Sequence, residues 1–340
     1  MRRIRAGVLL IATLATAPSV GYTQEVLETP NARVEVLGLK RWTVPMIQDS
    51  LARYAPQDSL TSHACAAVLR MKLKFADAAA SYFGRDGAGR ELIVVAVVEP
   101  QDSALVRYRT PGPDSLPDIA QYAAAIAVFR NHNQDFQHFI QDSAFLVAHS
   151  APRATDARRN LLEPVRRLLL SEHGVDGQRR ATQVLARDRN PYNRVMALLV
   201  LSGFPKTNTT WLTLADELRD PHGMVSGTAS QLITTLARYS PRIVDWSSAL
   251  DGLEAVMAGT NLFAQAPLIE VLTRTKVAPG LARPLLLAGA PLLLARLRAS
   301  PQAGRDLARA LLEQLSGEHY GQDLAAWTQW VASVQRAGPR

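Results

Sequence analysis

The sequence predicts a small α+β domain followed by an all-α region of repeated helices. Segments typical of strands are confined to residues 32–100, while amphipathic helical segments recur from about residue 116 to the end. The composition favours helix, since alanine, leucine and arginine are abundant and aromatic residues make up only 6%. With 340 residues, 47% of them hydrophobic and 20% charged, the chain is long enough for two globular domains.

Residues 1–24 have the composition of a secretory signal peptide. Three arginines in the first five residues precede an apolar run over residues 6–17, and small residues follow. We predict cleavage between Gly21 and Glu25, and export to the periplasm or out of a bacterial cell. A retained membrane anchor is the alternative, but the apolar run is shorter than the ~20 residues that span a bilayer.

The net charge and the cysteine content limit the kinds of partner and of covalent cross-link that the chain can have. Removal of the leader lowers the formal net charge from +8 to +5, and basic and acidic residues alternate along the chain, so we expect no nucleic-acid partner. No later apolar segment is long enough to predict a membrane span in the mature chain. The single cysteine, Cys65, excludes an intramolecular disulfide, and its alanine-rich surroundings predict a buried thiol.

The predicted α+β domain covers residues 32–109 and has the order β-α-α-β-β. "ARVEVLGLK" alternates apolar and polar residues, "ELIVVAVVEP" is a β-branched run, and "ADAAASYF" joins it through a turn at residues 84–90 as a hairpin. Two helices lie between the first and second strands. Their predicted buried faces are Val44, Ile47 and Leu51 in the first helix, and Ala66, Leu69 and Leu73 in the second.

This order and three segments resemble the POTRA domain, a small periplasmic module. The matching segments are "VEVLGLKRWT", "KFADA" and "IVVAVVE", but Lys74 stands where the family has a glycine before its aromatic residue. The resemblance implies that a partner binds by adding a strand to an exposed sheet edge. A small α+β domain unrelated to that family is the alternative.

The proline-rich segment at residues 110–117 predicts a linker or a sharp turn, and helices fill the rest of the chain over residues 116–338. One of these helices has apolar residues at helical spacing, which predicts a buried stripe along one face. Prolines or an asparagine begin successive units 30, 40 and 40 residues apart, which is close to the period of two-helix repeats. The stripe comprises Trp211, Leu214, Ala215 and Leu218, and the units begin at Pro191, Pro221, Asn261 and Pro301.

The helical region resembles HEAT repeats, most clearly from residue 157. "RDRNPYNRVMALLVL" and "LRDPHGMVSGTASQL" carry an acidic-proline turn followed by an apolar seam, and "IAQYAAAIAVF" with "FQHFIQDSAFLVAH" predicts an additional first pair. The final "GEHYGQDLAAWTQWV" looks like the tail of secreted HEAT-repeat proteins, with Trp327, Trp330, Val331 and Val334 on one face. We interpret this face as a core cap, the alternative being a platform for a ligand. We also predict a buried helical pair at residues 284–295.

The sequence assigns no catalytic, cofactor-binding or metal-binding residue. "GMVSG" lacks the serine position and the preceding strand of a nucleophile elbow, and His132 and His138 diverge on a helix around Asp135. We therefore predict a non-enzymatic exported scaffold that offers a concave helical surface to a protein partner. The alternatives are a hydrolase-type enzyme with a site in the cleft between the domains, which would need a converging histidine and carboxylate, and a structural spacer of the envelope.

Overall fold

The computed structural model describes residues 23–62, 64–114, 116, 119–141 and 156–337. A four-stranded mixed sheet with two helices comes first, and a helical region follows. Residues 1–22 of the predicted signal peptide lie outside the described residues.

The first unit contains the predicted order β-α-α-β-β, which is confirmed, preceded by a strand that the sequence did not predict. That additional strand begins inside the segment interpreted as the end of the leader. The elements are β1 (Thr23–Glu28), β2 (Ala32–Leu39), α1 (Val44–Tyr54), α2 (Cys65–Met71), β3 (Asp77–Arg85) and β4 (Glu91–Val98).

The strands lie in the order β1-β2-β4-β3. β2 and β4 are parallel neighbours at the centre, whereas β1 pairs antiparallel with β2 and β3 pairs antiparallel with β4. The predicted hairpin between the last two strands is therefore confirmed. β1 and β3 form the two edges of the sheet.

The helical region contains the predicted helices, and no strand follows β4 in the described part of the chain. The second half of the predicted additional pair is described only as far as residue 141. The helices are α3 (Ala120–Asn131), α4 (Asn133–Gln141), α5 (Asp156–Ser171), α6 (Val175–Arg187), α7 (Pro191–Ser202), α8 (Asn208–Glu217), α9 (Gly223–Tyr239), α10 (Leu250–Ala258), α11 (Leu262–Thr275), α12 (Pro279–Arg298), α13 (Gln302–Ser316) and α14 (Leu324–Arg336).

These helices stack in two rows. α7, α9, α11 and α13 contact one another in sequence, and so do α8, α10, α12 and α14, while α8 with α9, α10 with α11 and α12 with α13 pack as pairs. Helices of the first row begin 32, 39 and 40 residues apart. The predicted stripe on α8 is buried, and one continuous apolar core extends from α3 to α14. Each pair therefore covers its apolar face with its neighbours.

Two helix starts differ from the prediction, in which Pro191, Pro221 and Pro301 each open a helix. Pro191 opens α7 as predicted, but Pro221 and Pro301 precede α9 and α13, because the helical backbone begins only at Gly223 and Gln302. Before α9, the side chain of Asp220 accepts the His222 amide at 2.7 Å and holds a turn there. Asn261, in the left-handed conformation, likewise stands just before α11.

The predicted helical pair at residues 284–295 is wrong, because α12 is one continuous helix of 20 residues. Pro284 and Pro291 lie inside it, and packing against α10, α13 and α14 compensates for the hydrogen bonds that the two prolines remove. By length and composition α12 is also the one helix of the described residues that could cross a membrane, and 44% of its apolar window is buried inside the protein.

Both faces of the sheet are covered. The predicted face of α1 is buried against one side, and so are Ala66 and Leu69 of α2; Leu73 is buried there too, but it lies after the helix, which ends at Met71. On the other side, apolar residues of β2, β3 and β4 pack against Leu262 of α11 and against Leu292 and Ala295 of α12. This explains why β4 is apolar without alternation, a pattern typical of strands buried on both faces. The α+β unit is thus packed onto the helical region.

Residues 106–114, which we call the strap, run extended across the connections between α10 and α11, between α8 and α9, and between α6 and α7. Arg107 donates its amide to Thr260 Oγ1 at 2.8 Å, Arg109 donates to the Arg219 carbonyl at 2.9 Å, and Asp114 donates to the Arg187 carbonyl at 3.0 Å. Extended chain advances about 3.3 Å per residue, so the stretch from Arg107 to Asp114 reaches about 23 Å, enough for two steps of about 8–10 Å between neighbouring helices. The described part of the predicted linker therefore lies along the helices.

At the end of the chain, Trp327 closes the core. It is fully buried, its indole N–H donates to the Gly321 carbonyl at 3.0 Å, and its ring packs edge-on against Tyr320 and Trp330. The core interpretation is confirmed for Trp327, whereas Trp330 is only partly buried at the rim.

Candidate binding surface at the sheet edge

The residues whose types and spacing could support catalysis or metal binding do not form a site. Within the described ranges, no group of three or more histidine, cysteine, aspartate or glutamate residues could hold a metal ion. His132 ends α3 and His138 lies on α4, both exposed. Cys65 is buried, as predicted, and burial raises the pKa of its thiol to about 11, so the thiolate that reacts is scarce at neutral pH. Ser226 lies in the first turn of α9 with no strand before it.

An open groove of about 560 Å³ lies where the sheet meets the helices. Arg70 at the end of α2 and Tyr108 of the strap form one wall, and the starts of α9 and α11 form the other. Phe263, 51% exposed, adds an apolar aromatic ring to the lining. The hydrolase alternative, with a site in the cleft between the domains, predicts its catalytic groups here.

Asp77, the first residue of β3, forms a joint behind this groove, where it contacts Arg70 and Tyr108 of the groove lining. Its Oδ2 accepts the Leu262 amide and the Tyr108 hydroxyl, both at 3.1 Å, and its Oδ1 accepts the Ala78 amide at 2.8 Å. Burial raises the pKa of Asp77, and these hydrogen bonds and the charge of Arg70, at 3.8 Å, oppose the rise. Because Asp77 is buried and both of its oxygens accept hydrogen bonds, the carboxylate serves to join β3 to α11.

Asp220 is the carboxylate that lines the groove, and it is engaged as well. One oxygen pairs with the guanidinium of Arg194, which is itself buried, and the other accepts the His222 amide. No histidine lines the groove among the described residues. The converging histidine and carboxylate that hydrolysis would need are therefore not found in this groove.

The edge of β3 is the exposed side of the sheet that opens next to the groove. In the described part of the chain β3 pairs only with β4. Its first three residues are buried, but most of residues 81–85 are exposed, and Phe83 is 40% exposed. The opposite edge, β1, carries carboxylates that are already used, since Glu25 accepts the Val44 amide at 2.7 Å and Glu28 pairs with Arg33 and Arg90.

Three exposed cations stand at the start of the β3 edge: Arg70, Lys72 and Lys74, which we call the basic turn. Over residues 59–85 the only acidic residue is Asp77, and it is buried. The expectation that basic and acidic residues alternate is therefore wrong for this segment. The signal was visible in the sequence as "RMKLK", but it is lost in an average over the whole chain.

Apolar side chains are exposed beside the same edge. Met71, 62% exposed, lies within the basic turn, and Phe83 lies on β3. Phe263 lies beside the start of β3, because the preceding residue, Leu262, donates its amide to Asp77.

Comparisons of the chain with known protein families and with curated proteins found no match.

Proposed function

We propose that this protein is a non-enzymatic exported scaffold of the bacterial periplasm or cell envelope, which binds a partner polypeptide by adding a strand to the β3 edge. The observation that carries the proposal is the exposed end of β3, residues 81–85, whose outer side has no strand partner in the described chain. An open strand edge presents backbone donors and acceptors that another extended chain can pair with.

A POTRA-like α+β unit is part of the proposal. The order β-α-α-β-β supports it, and so does the backbone of Lys74, whose φ of 60° lies in the left-handed region that glycine adopts most easily. Lys74 occupies the place of the family's glycine. The next residue, Phe75, is buried and packs on Trp42, with ring centroids 5.1 Å apart.

We assign the helical region to a HEAT-like α-solenoid. The two rows of helices, the intervals of 32, 39 and 40 residues and the core cap at Trp327 support this assignment. Stacked repeats form long surfaces that bind other macromolecules, whereas catalysis needs a dry pocket with converging groups. The occupied carboxylates of Asp77 and Asp220 favour binding over the hydrolase alternative.

Site-specific photo-cross-linking in cells of the native host tests strand addition. A photoreactive amino acid at Phe83 should capture one partner, and mass spectrometry should place the cross-link in an extended segment of it. The matched control is Ile243, which is also apolar and is 73% exposed, but lies between α9 and α10. It should not capture the same segment.

Amide hydrogen exchange on the purified complex completes the test. Strand addition protects the outward-facing amides of residues 81–85, because they gain backbone partners. A partner that cross-links equally at both positions, or binds without protecting these amides, would refute strand addition. Absence of any cross-linked partner at Phe83 would favour the structural spacer.

A further inference from the structure

The charges around the β3 edge are unbalanced. The basic turn, Arg70 with Lys72 and Lys74, lies at the start of β3, whereas Arg85 at the other end stands opposite the exposed Glu91 of β4. In the described part of the chain neither lysine is joined to a carboxylate, and Arg70 meets only Asp77, whose oxygens are already occupied. An open edge with an excess of one sign of charge at its start attracts the opposite sign there.

Several exposed arginines elsewhere in the chain pair with neighbouring carboxylates. Glu270 pairs with both Arg238 and Arg274, and Glu163 pairs with both Arg166 and Arg167. The β3 edge differs from these surfaces because the positive charge at its start coincides with a strand edge that no second strand covers in the described chain and with exposed apolar side chains. The combination of three features at one place indicates a surface built for a ligand of defined chemistry.

We infer that the partner segment is acidic, with apolar side chains at alternate positions, and that it extends along β3 from Arg85 to the groove beside Arg70. This inference rests on the proposed function. Side chains of an added strand alternate between its two sides, so carboxylates can meet the cations while apolar groups contact Phe83 and Phe263. The groove continues this path, because Arg70 and Tyr108 line it and both contact Asp77, the first residue of β3.

A second copy of the chain is the competing occupant, since β1 has the acidic sequence "TQEVLE". Its carboxylates are already engaged, however: Glu25 with a backbone amide, and Glu28 with Arg33 and Arg90. Pairing of β1 with the β3 edge of another copy would have to break these contacts. A foreign acidic segment is therefore the occupant that the charges favour.

Three synthetic peptides test the inference, with alternating Glu–Val, Ser–Val and Lys–Val sequences of about eight residues, within the usual range of strand lengths. Fluorescence anisotropy measures their affinity for the protein. At about 50 mM NaCl the Glu–Val peptide should bind at least about tenfold more tightly than the Ser–Val peptide, and the difference should shrink at about 300 mM NaCl because salt screens exposed charges.

Charge reversal of the basic turn supplies the matched comparison. The double variant Lys72→Glu/Lys74→Glu should bind the Glu–Val peptide about tenfold more weakly. Lys206→Glu/Lys276→Glu reverses two exposed lysines elsewhere and should bind as the wild type does. The pairs are matched in backbone, since Lys74 and Lys276 both have positive φ, 60° and 58°.

Hydrogen exchange at residues 81–85 separates the possible failures. Equal binding of the Ser–Val or Lys–Val peptide with protection of these amides would overturn the acidic partner and leave strand addition standing. Binding of the Glu–Val peptide without protection of these amides would overturn the path along β3. If none of the peptides binds, the inference is overturned. In that case, photo-cross-linking at Phe83 in the native host still decides the proposed function. Self-association of the free protein that Lys72→Glu/Lys74→Glu abolishes would identify a second copy instead.

Discussion

Trp327 should contribute more to stability than any other aromatic residue of α14, because it seals the end of the stack. Trp327→Ala removes a fully buried indole between Tyr320 and Trp330 and leaves the Gly321 carbonyl without its donor. Removal of a buried tryptophan costs about 3–5 kcal/mol, from lost burial and the cavity left behind. For a helical region of this size the melting temperature should fall by at least about 6 °C.

Urea unfolding followed by circular dichroism measures this loss, and Trp330→Ala is the control in the same helix. Trp330 is only partly buried, so its removal should cost about 1 kcal/mol. Equal losses for the two variants, or an unchanged free energy of unfolding for Trp327→Ala, would refute the cap. Hydrogen exchange should also show faster opening of α13 and α14 in Trp327→Ala than in the wild type, because α14 packs on α12 at the end of the stack.

Three further predictions concern the strap, the buried thiol and the joint. Gly112→Ala should lower the free energy of unfolding by about 1–3 kcal/mol, since a Cβ there would lie 2.1 Å from the Arg187 carbonyl group, whereas Gly304→Ala meets no atom within 4 Å and should be neutral or stabilising. Cys65 should resist alkylation at pH 8 in the folded protein and react fully in denaturant; rapid reaction of the native protein would contradict its burial and its pKa of about 11. Burial raises the pKa of Asp77, so its contribution to stability falls as pH rises from the ordinary value of about 3.9 through the raised value. Urea titrations should therefore show wild type gaining stability relative to Asp77→Asn as pH is lowered; a pH-independent difference would contradict this.

The local spacing of apolar residues was sufficient to predict the elements that bury only one face. Ile47 and Leu51 on α1 and Trp211 on α8 are buried as their spacing predicts, because an amphipathic helix has only one apolar face to cover. Trp327 followed from the same spacing. The hairpin before β4 followed from the glycines of its turn.

Contacts between distant segments could not be predicted in this way. Pro284 and Pro291 indicate a break in α12, yet packing against three neighbouring helices keeps it continuous. β1 overlaps residues that also fit the end of a leader. The unbroken apolar run of β4 indicates that both faces of the sheet are buried, but it does not identify the helices that cover the second face.

The proposed binding surface is composite, and its geometry depends on the joint between the two units. Arg70 belongs to α2, Phe83 to β3 and Phe263 to α11, and Asp77 connects the three elements by its bonds to Leu262 and its contact with Arg70. A surface held in place before the partner arrives loses less conformational entropy on binding. Because the strap and the second face of the sheet fasten the α+β unit to the helices, the partner meets a prearranged edge and groove, which a flexibly tethered module would not provide.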